Sequence, residues 1–166
     1  MPPVLDGWRE AYGRAPDGSF RSEEQVNASR PVVERSERGA RLLGDLYWRE
    51  VMRVSGGVVR RRTTPAGVEL RLLGRGPCLL RFGPAETEHD PGAVSCRYSI
   101  RGGLLARRPG GSISLSQTGG DEPQLRTIVC GFVPRLGSRF ERIQHRVHVA
   151  VSRRYFRRLL AEAGSR

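Results

Sequence analysis

Residues 140–163, FERIQHRVHVAVSRRYFRRLLAEA, decide how this chain is read. Phe140, Ile143, Val147, Val151, Tyr155 and Leu159 recur every three or four positions, so on a helix they share one apolar stripe. Arg142, Arg146, Arg153 and Arg157 fall on another face, and Phe156 with Leu160 forms a second apolar strip. A helix with two apolar strips touches more than one surface. One long amphipathic helix at the end of a chain needs something broad to lie against.

The residues before it supply that surface. The cleanest strand is 94–101, with Val94, Cys96, Tyr98 and Ile100 on one face and Ser95, Arg97, Ser99 and Arg101 on the other. Such alternation is what an antiparallel sheet with one wet face requires. Val68, Leu70 and Leu72 alternate in the same way, and 78–82, 112–117 and 125–133 are further apolar runs between Gly- and Pro-rich breaks. Upstream, Trp48, Met52 and Val54 alternate with Arg49 and Arg53, which reads as a strand starting near Leu46. Ser55-Gly56-Gly57 would then turn it into a partner at 58–63. The acidic stretch 83–92 reads as a solvated loop, and 102–111 as a hairpin connection. The expectation is an α+β fold of about six or seven strands.

The first 30 residues look least regular. Trp8 to Tyr12 reads as a short helix broken by Gly13 and Pro16, and Asn27-Ala28-Ser29 as a helix entry with Pro31 at an early position. Val32, Val33, Ala40, Leu42 and Leu43 would face the core, and Gly44 would stop that helix. The division expected is an irregular segment over 1–30 and one domain over 31–166.

Composition bounds the function. Among 166 residues all 29 basic ones are arginine, and the net charge is +12. The charge is uneven: residues 1–45 carry seven Arg against eight acids, and the remainder 22 against nine. Such a body attracts anions, whether an anionic surface or nucleic acid. No stretch approaches the roughly 20 apolar residues of a transmembrane segment, and the N-terminus lacks a secretory pattern, so a cytoplasmic protein is expected. The three cysteines, Cys78, Cys96 and Cys130, lie in apolar runs without a CxxC pair and read as buried thiols.

No motif carries a catalytic or metal assignment. His145 and His148 sit three apart on the final helix with Glu141 one turn earlier, a spacing that by itself is weak evidence for a metal. His148 borders the apolar stripe and suits a polar group in an apolar pocket. Glu86, Glu88, His89 and Asp90 match no cation loop, and no G-x-S-x-G frame is present. Arg60-Arg61-Arg62 reads as protection of a sheet edge ahead of nucleic-acid contact, with one of the three turned inward or placed at an edge.

The strands from Leu46, the Gly102-Gly103-Leu104-Leu105 turn and the terminal helix together resemble the START-like (SRPBCC), birch-pollen-allergen-like superfamily. The resemblance implies a helix-grip fold: a curved antiparallel sheet packed around a long C-terminal helix over a hydrophobic cavity. It also implies a first strand followed by paired short helices, and a function in binding a lipid-like or polyketide-like molecule without catalysis. Trp48, Met52, Tyr98, Ile100, His148, Val151 and Tyr155 are the expected lining, with no cofactor and no metal. Two alternatives stand beside it. One is a polyketide-cyclase-like enzyme with His148 or Tyr98 moving a proton; the other is a basic nucleic-acid-binding protein, whose association would weaken steeply with salt.

Overall fold

The structure, a computed structural model, describes residues 4–164. Nine strands form one antiparallel sheet that curves around the C-terminal helix. The strands are β1 (Arg9–Arg14), β2 (Phe20–Asn27), β3 (Val59–Thr64), β4 (Gly67–Leu72), β5 (Cys78–Phe82), β6 (Glu86–His89), β7 (Ala93–Gly102), β8 (Ser112–Thr118) and β9 (Gln124–Phe132). Their order is β1-β2-β9-β8-β7-β5-β4-β3, with β6 paired to the first half of β7. Two helices complete the described residues, α1 (Glu37–Val54) and α2 (Gly137–Gly164). The expected helix-grip architecture is therefore present, built on more strands than the hydrophobic pattern indicates.

Three departures share a cause: residues whose local pattern is misleading. The first 30 residues, expected to be irregular, contain β1 and β2, and β2 pairs along its length with β9. Its inward positions are Phe20, Ser22, Glu24 and Val26. Two polar residues at inward sites hide the alternation that marks a strand. Strand β1 is exposed at every residue and is held by its backbone ladder to β2. The acidic 86–89 segment, read as loop, is likewise strand β6.

The second departure is α1. Residues 46–54 are helix rather than strand, and the helix begins at Glu37 rather than near Asn27. Ser36 caps it by accepting the amide of Gly39, with Glu37 in the first turn and Arg53 in the last, both favourable to the helix dipole. Ala40, Leu43, Tyr47 and Val51 recur at helical spacing and face the core. Trp48 and Met52, taken as alternating, are also one helical turn apart. Gly44 does not end the helix. A Cβ there would stand 2.3 Å from the Tyr98 hydroxyl and 3.1 Å from the Cys96 sulfur, so glycine lets α1 lie close on β7. In place of paired short helices, residues 28–36 form a connection whose buried Val32 and Val33 donate their amides to Oε1 of Gln117, itself buried.

The third concerns the thiols. Cys96 is buried, Cys78 is partly so, and Cys130 is exposed, where β9 breaks its alternation. Arg60-Arg61-Arg62 lies on β3, the last strand of the sheet; Arg60 and Arg62 face outward, and Arg61 turns to Asp45 of α1 at 2.7 Å. No helix of the described residues is long and apolar enough to cross a membrane.

Candidate functional site

Helix α2 lies against α1 and β2, and its N-terminal half does not complete the core. Between that half and the sheet is a partly open cavity of about 320 Å³. The helices contribute Tyr47, Trp48 and Val51 from α1, and Phe140, Ile143, Gln144, Val147, His148 and Val151 from α2. The sheet supplies Phe20, Leu70, Phe82, Ile100, Ile113 and Phe132, and Leu79, Leu80 and Leu105 extend the wall towards the 102–111 connection. Ile143 and Val147 are 57% and 48% exposed while facing the cavity, and Leu104 and Leu136 are exposed as well.

Of the seven residues expected to line a pocket, Trp48, Ile100, His148 and Val151 do so. Tyr98 and Tyr155 stand behind the wall. Tyr98 meets Trp48 edge-on at 5.1 Å and Tyr155 meets Tyr47 at 5.5 Å, so both are packed core. Met52 is off the cavity because 46–54 is helical: a period of 3.6 places Val51 on the cavity face and rotates Met52 away from it. Leu159, on the same stripe, is buried in the core.

Around His148, the polar part of the site is built by Glu24, Ser22, Thr127, Ser152 and Tyr47, which no sequence motif marks. Glu24 projects from β2 beneath α2 and is fully buried. Its Oε1 accepts from the Ser22 hydroxyl at 2.5 Å, and its Oε2 from Thr127 at 2.8 Å. The Ser152 hydroxyl lies 3.3 Å from Oε2. His148 Nε2 lies 2.8 Å from the same oxygen, a close ion-pair distance at an angle poor for a hydrogen bond. The other nitrogen, Nδ1, is 2.9 Å from the Tyr47 hydroxyl.

Burial by itself would push the Glu24 carboxyl up. His148, then Ser22 and Thr127, outweigh that and hold it below its ordinary value. Tyr47 goes the other way: burial, helped by the nearby Glu24 charge, pushes its hydroxyl far above the usual range and keeps it protonated, as a hydrogen-bond donor. Burial also raises Tyr98 and Tyr155. Gln144 adds an amide whose Oε1 is buried with no partner, on a residue that lines the cavity.

A second polar group ties the start of α2 to β1. The Tyr12 hydroxyl and the Arg14 guanidinium both bond Glu141, which is buried. His145 Nε2 lies 3.1 Å from Glu10, and its Nδ1 lies 3.3 Å from Ser22. His145 and His148 thus serve different partners instead of converging on one point. Outside this latch, Arg146, Arg153, Arg154 and Arg157 line a shallow groove on the outer side of α2, where Arg153 stacks over Trp8 at 5.0 Å.

No family model matches the chain, and no curated protein matches it. Solved structures do. A solution NMR structure of CalU16 from Micromonospora echinospora superposes with a TM-score of 0.35 at 13% identity, over 77% of this chain and 63% of that one. A crystal structure of CalU16 gives 0.40, also at 13% identity, over 96% of both chains.

Proposed function

We propose that the protein binds an apolar small molecule, lipid-like or polyketide-like, in the cavity between sheet and α2. The observation that supports this is the composition of the wall. Leucine, isoleucine, valine and aromatic rings make up nearly all of it, and the polar exceptions are Gln144, His148 and the Tyr47 hydroxyl. Apolar walls supply affinity through water release, and a few placed polar groups fix orientation. The unpartnered Gln144 Oε1 is a buried acceptor, and a ligand donor there would relieve it. The exposed Ile143 and Val147 at the rim are tolerated losses for a fold that must leave this space open.

The test is saturable binding of a neutral apolar dye, N-phenyl-1-naphthylamine, to the wild type and to Val129→Phe. Val129 lies on the wall, and a phenyl group there fills space now empty. One-to-one binding that Val129→Phe abolishes without loss of stability supports the reading. Absence of saturable binding, or binding indifferent to filling, refutes it. A neutral probe also separates the cavity from the arginine surface, since association with nucleic acid through the latter would weaken steeply with salt.

A further inference from the structure

A line of polar side chains runs from the cavity to the outer side of α2. It passes from Tyr47 to His148 at 2.9 Å, from His148 to Glu24 at 2.8 Å, and from Glu24 to Ser22 at 2.5 Å. From Ser22 it reaches His145 at 3.3 Å and Glu10 at 3.1 Å. Tyr47 and His148 face the cavity, whereas His145 and Glu10 border the outer groove. A structural role alone asks less of these residues. One serine or threonine hydrogen bond would hold α2 to β2, yet a buried carboxylate carries four partners and leads to an imidazole at an apolar wall.

Chemistry sets the polarity of the line. Glu24 is ionised and only accepts, so its negative charge 2.8 Å from Nε2 favours the tautomer with the hydrogen on that nitrogen, although the N–H is not aligned for a hydrogen bond. Nδ1 is then a lone pair, and it accepts from the Tyr47 O–H. A ligand carbonyl that takes the Tyr47 hydrogen bond for itself leaves Nδ1 uncovered, next to the carbon beside that carbonyl. The titratable groups that the described residues set against His148 are Glu24 from β2 and Tyr47 from α1.

We infer that the cavity is a proton-transfer site for an apolar ketone, with His148 Nδ1 as the base and Tyr47 as the donor to the ketone oxygen. This rests on the cavity admitting a ligand. In the step, the α-carbon–hydrogen bond breaks and its proton bonds to Nδ1. The freed pair forms a carbon–carbon double bond, and the carbonyl π pair moves to oxygen, where the Tyr47 O–H receives it. The imidazolium sits against the Glu24 carboxylate. Return of a proton to carbon closes the cycle, so exchange or isomerisation results and no other reactant is consumed. Glu24 is a positioning residue, and for the exchanging proton to pass outward the Ser22 hydroxyl, which donates to Glu24, turns to His145 beside Glu10.

The probe is 2-tetralone in deuterated buffer, with loss of its α-protons followed by proton NMR and its binding read by displacement of the naphthylamine dye. The wild type is expected to speed exchange above the buffer rate. His148→Gln should lower the catalysed rate by about a hundredfold, at the low end of general acid–base effects, and Tyr47→Phe by less, about tenfold. Glu24→Gln should retain dye binding and change the pH profile of exchange, which loss of packing alone would not do. If the ketone displaces the dye but exchanges at the buffer rate, or equally fast with His148→Gln, the inference is overturned and the binding reading stands. If it fails to displace a dye that binds, this substrate class is wrong. If the dye itself does not bind, the binding reading has failed and the inference falls with it.

Discussion

The two halves of α2 carry one apolar stripe and treat it in opposite ways. In the C-terminal half, Val151, Tyr155 and Leu159 of the stripe are buried, as are Phe156 of the second strip and Ala163; Tyr155 packs on Tyr47 at 5.5 Å and Phe156 on Trp8 at 6.0 Å. In the N-terminal half, Phe140, Ile143 and Val147 face a space that no side chain fills. That half is held instead by polar contacts, Glu141 to Arg14 and Tyr12, and His145 to Glu10 and Ser22. The amphipathic pattern is the same, and the difference lies in what the sheet and α1 bring opposite it. A stripe that meets a partner is core; a stripe that meets empty space is the wall of a site.

Phe156→Ala gives the sharpest test of that contrast. The ring is fully buried, and its removal should cost about 3–5 kcal/mol of unfolding free energy, measured by urea denaturation. A cost below about 1 kcal/mol would mean that the C-terminal half is no better packed than the other. Next comes Glu24→Gln, at the border between the halves. It weakens the contact with His148 and disturbs the bonds from Ser22 and Thr127, so about 2 kcal/mol should be lost at neutral pH. Because the Glu24 carboxyl is held below 4.5, its stabilisation is present above that value and is lost as the pH falls through its lowered folded-state value. The gap between wild type and variant should therefore narrow on acidification, and a gap independent of pH would contradict the account.

Glu141→Ala removes the latch and should cost about 1 kcal/mol, since Arg14 is about half exposed. Hydrogen exchange should quicken over 137–147 and stay unchanged over 151–163; equal change in both would erase the distinction. The smallest effect belongs to Ile143→Ser. With this side chain already 57% exposed, stability should shift by no more than about 0.5 kcal/mol. Dye affinity should fall all the same, and unaltered affinity would remove Ile143 from the working wall.

Legibility in the sequence followed how purely each segment expresses its pattern. Strand β7 alternates without exception, and its inward Val94, Cys96, Tyr98 and Ile100 are all buried as read. Strand β2 places Ser22 and Glu24 where apolar residues are expected, so its alternation is not legible in the sequence. The same two residues make the polar centre of the site, so the signal that hid the strand is also the signal of function. In the second half of α1, Trp48, Met52 and Val54 also suit a period of two, which puts Met52 on the site; the helical spacing of Leu43, Tyr47 and Val51 turns it away. His148 was found because it borders an apolar stripe. Tyr47, its partner, carries no sequence signal, because only the helical turn of α1 brings it inward against His148.

What the sequence by itself determined is local. The period of the final helix, the alternation of the central strands and the breaks between them set the α+β class and the gripping arrangement, because a regular element with one apolar face must bury it. The tertiary structure decided where burial is incomplete and which distant groups meet. Glu24 and His148 are 124 positions apart, and only the pairing of β2 with β9 under α2 brings them to 2.8 Å. A cavity is likewise a mismatch between surfaces made by separate elements. No one segment encodes it, since each contributes a wall and none contains the space.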